Sequence, residues 1–279
     1  MRSAQDRFLR LNGLRLHFRD WLGPTPDAPL LLLLHGGGND AQMWDPFAPI
    51  FASRYRVIAP DARGHDQSDW STERQYTTEF QAADVTGLLA ALGCEEASIV
   101  GSSLGGWTGY HVAAQFPHLV PRLVVVDVSP DVVTASARGL IRASGANQNR
   151  YASFEEALAA RLPLFRGDSE PSVRESVERN IILMPDGTVS WRYDAEGMAA
   201  GGVGSRDTED EWRLVERIAA PTLLVRGAES EILTRALADQ VCRTIPDVKL
   251  VEVPGAGHPV PIDQPALFLC AVVPFLFHP

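Results

Sequence analysis

One serine in this chain of 279 residues has neighbours that suit it to nucleophilic chemistry. Ser103 lies in the run Gly101-Ser102-Ser103-Leu104-Gly105, a Gly-x-Ser-x-Gly pattern between a short apolar stretch and a helix-like one. A serine on a sharp turn from strand to helix has a strained backbone, and residues packed close to it must be glycine to avoid clashes. The pattern therefore predicts such a turn, with Ser103 as the nucleophile.

A serine hydroxyl attacks a carbonyl group at neutral pH only if a base removes its proton, and an imidazole titrates in the right range. Of the seven histidines, only His258 follows the last predicted strand on a glycine-rich loop, Pro254-Gly255-Ala256-Gly257-His258. His35 and His65 follow other predicted strands, in loops where we expect them to bond to the backbone. The sequence therefore predicts His258 as the general base.

A carboxylate must fix the tautomer of this imidazole and balance the charge that it gains. The predicted strand at 222–226 runs into Gly227-Ala228-Glu229-Ser230-Glu231, which places two glutamates on the turn after it. We predict Glu231 as the acid and Glu229 as a solvated neighbour. Asp127, at the end of the predicted strand 123–126, is the competing candidate.

Acyl transfer also needs two oriented donors for the oxyanion of the tetrahedral intermediate, and backbone N–H groups suit this task. Leu104, directly after the nucleophile, supplies one. The second is expected from the loop after the apolar residues 30–34, where His35-Gly36-Gly37-Gly38 resembles the oxyanion motif of esterases and lipases. We predict Gly37 as this donor, with Gly38 as the alternative.

Apolar runs typical of buried parallel strands recur along the chain, with helix-length stretches between them. Residues 7–12 and 14–21, on either side of the Asn12-Gly13 turn, indicate an initial hairpin. The predicted parallel strands are 30–34, 56–59, 98–100, 123–126, 223–225 and 249–253, and the predicted helices include 78–92, 107–116, 234–244 and 264–277. This alternation predicts an α/β fold with a doubly wound, mostly parallel sheet.

The alternation stops between Pro130 and Trp212, where polar, arginine-rich stretches follow one another. Apolar residues recur at helical spacing in 154–164 and 173–183, and Asp186-Gly187 is typical of a small hairpin that continues through 188–193. We therefore predict a core formed by residues 1–129 and 213–279, with an inserted, mainly helical cap at 130–212.

These motifs resemble the α/β-hydrolase family, whose chain order is serine, acid, histidine. Residues 60–68 are similar to its Asp-x-Arg-Gly-His-Gly-x-Ser loop, with Asp66 where glycine is usual. Residues 226–231 resemble the Arg-Gly-x-x-Ser-Asp stretch of capped members, with Glu231 in the place of the aspartate. The resemblance implies an eight-stranded, mostly parallel sheet with an inserted helical cap.

The resemblance also implies a serine hydrolase with a Ser-His-Glu triad. Dehalogenase and epoxide hydrolase relatives have an aspartate in the position of this serine, so Ser103 favours an acyl-enzyme intermediate. Small carboxylic esters and lactones are the leading substrates, and thioesters or the carbon–carbon bonds of vinylogous diketones are alternatives. A ligand receptor on the same fold is the alternative of another class. Trp44 and Trp107, with the cap aromatics Phe154 and Phe165, are candidate substrate contacts.

Composition and net charge restrict the classes of molecule that the protein can bind. A formal net charge of -10 argues against nucleic acid and favours a small neutral or apolar substrate. The chain contains no His-Glu-x-x-His run and no Cys/His cluster with ligand spacing, so no metal or organic cofactor is predicted. The three cysteines are scattered, no basic and apolar leader precedes the first strand, and no apolar run is long enough to cross a bilayer. The sequence therefore predicts a cytoplasmic protein without a membrane-spanning segment.

Overall fold

Two sheets are present in the computed structural model, which describes residues 3–131, 149–162, 170–201 and 207–277. The strands are β1 (Gln5–Leu11), β2 (Leu14–Trp21), β3 (Leu30–Leu34), β4 (Arg56–Pro60), β5 (Ser98–Ser102), β6 (Leu123–Val126), β7 (Arg150–Tyr151), β8 (Ile181–Leu183), β9 (Val189–Trp191), β10 (Thr222–Gly227) and β11 (Val248–Val253). The larger sheet has eight strands in the order β1-β2-β4-β3-β5-β6-β10-β11. Strand β2 pairs antiparallel with β1 and β4, and all other neighbours are parallel.

The described residues form ten α-helices, of which those outside residues 149–201 cover this sheet or link its strands. They are α1 (Ala48–Phe51), α2 (Thr78–Ala91), α3 (Leu104–Gln115), α4 (Phe154–Arg161), α5 (Glu170–Asn180), α6 (Ala195–Gly201), α7 (Thr208–Val215), α8 (Arg235–Thr244), α9 (Val260–Asp263) and α10 (Pro265–Phe277), with short 3₁₀ helices at Ala41–Trp44 and Pro117–Leu119. The predicted doubly wound, mostly parallel sheet of eight strands is thus confirmed. Within the described residues, no helix is long and apolar enough to span a membrane.

Strand β3 shows why the central strands are apolar throughout. All five of its leucines are buried, and successive side chains point to opposite faces of the sheet. Leu32 and Leu34 belong to the core on one face, whereas Leu31 and Leu33 belong to the core on the other. Because helices cover both faces, no polar position is tolerated along this strand.

The predicted initial hairpin is present, with Asn12 and Gly13 at positive φ as a tight turn between β1 and β2 requires. Asp66 also has a positive φ, of 39°. This accounts for the glycine that the family's loop usually has there, because the left-handed region favours glycine. The Asp66 carboxylate lies 3.2 Å from a guanidinium nitrogen of Arg192.

Between β6 and α7, the described residues include a separate small sheet, β7-β9-β8, which packs against α4 and α5. This sheet has its own apolar cluster around Tyr151, Val177 and Trp191. Asp186-Gly187 lies on the turn between β8 and β9, so a hairpin is present here, but only its second strand falls within the predicted 188–193. The end of the helix predicted at 173–183 differs, because Ile181–Leu183 pairs with β9 and α5 stops at Asn180.

The small sheet docks on the loop that follows β4. His65 forms a β-bridge with Tyr193, and the two rings stack at 5.6 Å between centroids. The Asp194 N–H donates to the Gly64 carbonyl, and the Tyr76 hydroxyl donates to the Asp194 carboxylate. The division into a core and a cap at 130–212 remains a prediction, since residues 132–148, 163–169 and 202–206 lie outside the described residues. Helix α7 spans the predicted boundary and packs Val215 into the core.

Two glycine substitutions should have opposite effects on stability. A β-carbon at Gly105 would lie 2.3 Å from the Leu34 carbonyl oxygen, whereas one at Gly87, inside α2, would meet nothing closer than 3.8 Å. We expect Gly87→Ala to raise the free energy of unfolding by about 0.5–1 kcal/mol. Gly105→Ala should lower it by roughly 2 kcal/mol or more, because backbone must move. Urea denaturation tests both, and equal effects of the two changes would contradict this packing.

Candidate active site

Ser103 lies on a sharp turn between the end of β5 and the start of α3. Its backbone φ is 49°, a strained value for a residue with a side chain. The turn is held by hydrogen bonds from the Ser103 N–H to the Val126 carbonyl and from the Gly105 N–H to the His35 carbonyl, both 3.0 Å long. A β-carbon at Gly101 would lie 2.2 Å from the Gly105 carbonyl oxygen, so the glycines allow helix and strand to approach. The predicted geometry around Ser103 is therefore present.

The imidazole of His258 connects Ser103 to a carboxylate. Its Nε2 lies 3.0 Å from the Ser103 Oγ, and its Nδ1 lies 2.8 Å from the Asp127 Oδ2. These contacts suit the tautomer in which Nδ1–H donates to the carboxylate and Nε2 accepts the serine proton. His258 is half-buried on the loop after β11, where the sequence predicts it. The three side chains form one continuous hydrogen-bonded chain.

Asp127 follows β6 directly and is completely buried, with 0% of its surface exposed. Its N–H donates to the Val225 carbonyl of the neighbouring strand β10, and its own φ is 53°. Its Oδ1 accepts the Gly227 N–H at 2.9 Å, and its Oδ2 also accepts the hydroxyl of Ser230 at 2.5 Å. The carboxylate therefore has donors on both oxygens in a site closed to water.

The prediction that Glu231 contacts the imidazole is wrong. Glu231 and Glu229 are both exposed on the turn after β10, whereas Asp127 is at the His258 Nδ1. The reason lies in the strand order, because β6 is between the serine strand β5 and β10. An acid at the carboxyl end of β6 is thus next to the serine turn, and the histidine loop after β11 reaches across the end of β10 to contact it.

The loop after β3 brings Gly37 next to Leu104. A β-carbon built on Gly37 would lie 3.9 Å from the Leu104 side chain, and the neighbouring Gly36 faces Ser103. Within the described residues, the N–H groups of Gly37 and Leu104 donate to no protein acceptor. The Gly38 N–H is engaged with the His65 Nε2 at 3.1 Å. The geometry therefore favours Gly37 over Gly38 as a free donor beside the serine.

His35 and His65 fix the glycine loop through backbone bonds, as the sequence predicts. His35 donates from Nδ1 to the Gly36 carbonyl and accepts the Ala62 N–H at Nε2. His65 accepts the Gly38 N–H and bonds through Nδ1 to the Arg63 carbonyl. Burial, together with the nearby His35, lowers the pKa of His65 to about 3. His65 is therefore neutral at neutral pH, which its acceptor role requires.

The two tryptophans predicted as substrate contacts belong to the core. Trp44 is 0% exposed and packs near the rings of Phe47 and Phe268. Trp107 is buried on α3 and donates its indole N–H to the Ser129 carbonyl at 2.7 Å. Phe154 contacts the small-sheet cluster and lies under the guanidinium of Arg174. Phe165 lies outside the described residues.

Among the described residues, one group of metal-ligating side chains has its ligand atoms within 4.8 Å of one another. It comprises Glu79 on α2, His111 on α3 and Glu211 on α7. The His111 Nε2 is 2.8 Å from a Glu211 oxygen, which is a direct hydrogen bond, and Gln115 bonds to the other ring nitrogen. These residues join the helices α2, α3 and α7.

Comparisons with known proteins identify the family to which the fold belongs. A family profile described as the alpha/beta hydrolase fold matches residues 29–265. The chain is 31% identical to the esterase Rv0045c of Mycobacterium tuberculosis, over 85% of this chain and 79% of that protein. It is also 31% identical to the 2-(acetamidomethylene)succinate hydrolase of Mesorhizobium japonicum, over 89% of this chain and 88% of that protein.

A crystal structure of E-2-(acetamidomethylene)succinate hydrolase superimposes with a TM-score of 0.81 and 26% identity, and covers 98% of this chain and 99% of that one. The chain therefore belongs to the α/β-hydrolase family, and the protein is a hydrolase of that fold.

The buried, neutral His65 makes stability depend on pH. Its folded-state pKa of about 3 lies below the ordinary value of 6.5, so the unfolded chain binds a proton that the folded chain does not. Its contribution is complete above pH 6.5 and is lost as the pH falls toward 3. We expect His65→Gln, a neutral replacement, to flatten the loss of stability over this range. Urea midpoints at several pH values test this, with the exposed His118→Gln as control; equal slopes in both variants would contradict it.

Proposed function

We propose that the protein is a serine hydrolase that cleaves a small carboxylic ester or lactone through an acyl-enzyme intermediate. The observation that carries this proposal is the continuous contact from the Ser103 Oγ to His258 at 3.0 Å and from His258 to Asp127 at 2.8 Å. Ser103 acts as nucleophile, His258 as general base and Asp127 as the triad acid. This corrects the Ser-His-Glu triad expected from the sequence.

The geometry supports each step of that reaction. His258 Nε2 takes the Ser103 proton as Oγ attacks the carbonyl carbon, while Asp127 stabilises the imidazolium that forms. The oxyanion then accepts hydrogen bonds from the N–H groups of Leu104 and Gly37. His258 then gives the proton to the leaving group. In the second half of the reaction, His258 takes a proton from the attacking water and returns it to the Ser103 Oγ as the acyl group is released. Leu104 is also the first residue of α3, so the helix dipole favours this negative charge.

The names of the similar proteins support hydrolysis but do not agree on one substrate. One similar protein is named an esterase and another a hydrolase of 2-(acetamidomethylene)succinate. Cleavage of a thioester or of a carbon–carbon bond in a vinylogous diketone is therefore the second candidate, because both use the same serine and histidine. The net charge of -10 favours a neutral or apolar substrate over a phosphorylated carrier.

A ligand receptor on the same fold is the alternative outside catalysis. A protein that only binds a ligand does not need a chain of hydrogen bonds along which a proton can move. Here three side chains from different strand ends meet at hydrogen-bond distance. The strained backbone of Ser103 also has no use in a site that only binds. Both observations favour an enzyme.

Ser103-dependent chemistry is the direct test. We expect a fluorophosphonate probe to label the protein. We also expect a measurable kcat/KM for at least one substrate in a panel of 4-nitrophenyl esters, lactones, thioesters and diketones. Ser103→Ala should abolish labelling and lower kcat by at least about 10³-fold. The matched control is Ser102→Ala, which removes the buried hydroxyl one residue earlier. Binding of substrates without Ser103-dependent turnover would instead support the receptor.

The identity of the acid is tested by two matched amides. Asp127→Asn keeps the shape of the side chain but cannot hold the imidazole in the correct tautomer, so kcat should fall about 10⁴-fold. Glu231→Gln changes an exposed side chain and should leave kcat within about 2-fold. Steady-state kinetics on the best ester of the panel measures both. The opposite ranking would restore Glu231 as the acid.

A further inference from the structure

We propose that Ser230 is a positioning residue that orients the Asp127 carboxylate toward His258, an inference that rests on the proposed function. Ser230 is buried on the turn after β10, and its Oγ lies 2.5 Å from the Asp127 Oδ2. This is the same carboxylate oxygen that contacts the His258 Nδ1. The hydroxyl touches no reacting atom, so it can act only through Asp127.

The direction of the Ser230 hydroxyl is fixed by its other partners. A serine hydroxyl has one proton to donate and two lone pairs that accept. The N–H groups of Ile232 and Leu233 both donate to this Oγ, at 3.1 and 3.3 Å. With both lone pairs engaged, the single proton is left to point at Asp127. The donor is therefore oriented before the reaction begins, without the need to turn toward the carboxylate.

Shared use of one oxygen restricts how the carboxylate can turn. Asp127 Oδ2 accepts from Ser230 and His258, while Oδ1 is held by the Gly227 N–H. Rotation of the carboxylate about its own axis would break the Ser230 and Gly227 contacts together. Because the group is completely buried, no water replaces a lost donor. The lone pair that faces His258 is thereby kept in one direction.

The turn that carries Ser230 is itself rigid and also supports the base. The buried Arg226 donates from Nε to the Leu233 carbonyl at 2.7 Å. The Glu229 N–H donates to the Ala256 carbonyl on the histidine loop, and a β-carbon at Gly227 would lie 2.0 Å from the Gly257 carbonyl oxygen. One turn therefore contacts both the acid and the loop of His258, and fixes the distance between them.

Removal of the hydroxyl should affect the chemical step and not substrate binding. We expect Ser230→Ala to lower kcat for an activated ester about 10-fold or more, the usual effect of a lost hydrogen bond to a charged group, with KM within about 2-fold. Ser230→Thr retains a hydroxyl and should recover most of kcat. The matched control is Ser68→Ala, which removes another buried hydroxyl that donates to a carbonyl and accepts a backbone N–H.

A second measurement separates positioning from a loss of folding. The downfield proton resonance of the Asp127–His258 hydrogen bond should shift in Ser230→Ala and remain in place in Ser68→Ala, at temperatures where circular dichroism shows both variants folded. The proposal is overturned if kcat in Ser230→Ala equals that of the unchanged protein, if the loss appears in KM, or if Ser68→Ala shows the same loss. Absence of Ser103-dependent turnover in the unchanged protein would instead overturn the proposed function and this inference with it.

Discussion

A carboxylate with no exposed surface can remain charged only if donors replace the water that it has lost, and Asp127 is such a group. Its three partners come from two parts of the chain: the Gly227 backbone and the Ser230 hydroxyl lie on the turn after β10, and the His258 ring lies on the loop after β11. The ends of β6, β10 and β11 must therefore meet at one edge of the sheet. Parallel pairing achieves this, because the carboxyl ends of neighbouring parallel strands lie together.

The same constraint extends to the nucleophile. The Ser103 N–H is bonded to the Val126 carbonyl, one residue before the acid, so the serine turn and the acid are tied through the backbone. On the other side, the Gly105 N–H is bonded to the His35 carbonyl, which ties the serine turn to the glycine loop. Close contact between these segments excludes side chains at Gly101 and Gly105. Nucleophile, acid and oxyanion donors are thus positioned by backbone bonds and not by long flexible side chains.

Local patterns predicted much of this arrangement. Continuous apolar runs identify every central strand, since burial on both faces leaves no alternative composition. The serine and histidine follow from their glycine-rich surroundings, which only tight turns require. The acid could not be chosen in this way, because Asp127 and Glu231 both follow apolar strands and only the lateral order of the strands separates them. Likewise, the apolar residues 181–183 fit a helix or a strand, and pairing with β9 decides between the two.

Several separate contacts hold the small sheet against the loop after β4. If the small sheet moved away as a rigid body, all of these contacts would break together. They are the backbone hydrogen bonds from Asp66 to Arg192 and from Asp194 to Gly64, the hydrogen bond from Tyr76 to Asp194, and the ring stack of His65 with Tyr193. Each of these bonds contributes on the order of 1 kcal/mol, so the fully detached state is sparsely populated. The Nε2 of the same His65 ring accepts the Gly38 N–H, so a displacement of Tyr193 would be transmitted to the glycine loop through this ring.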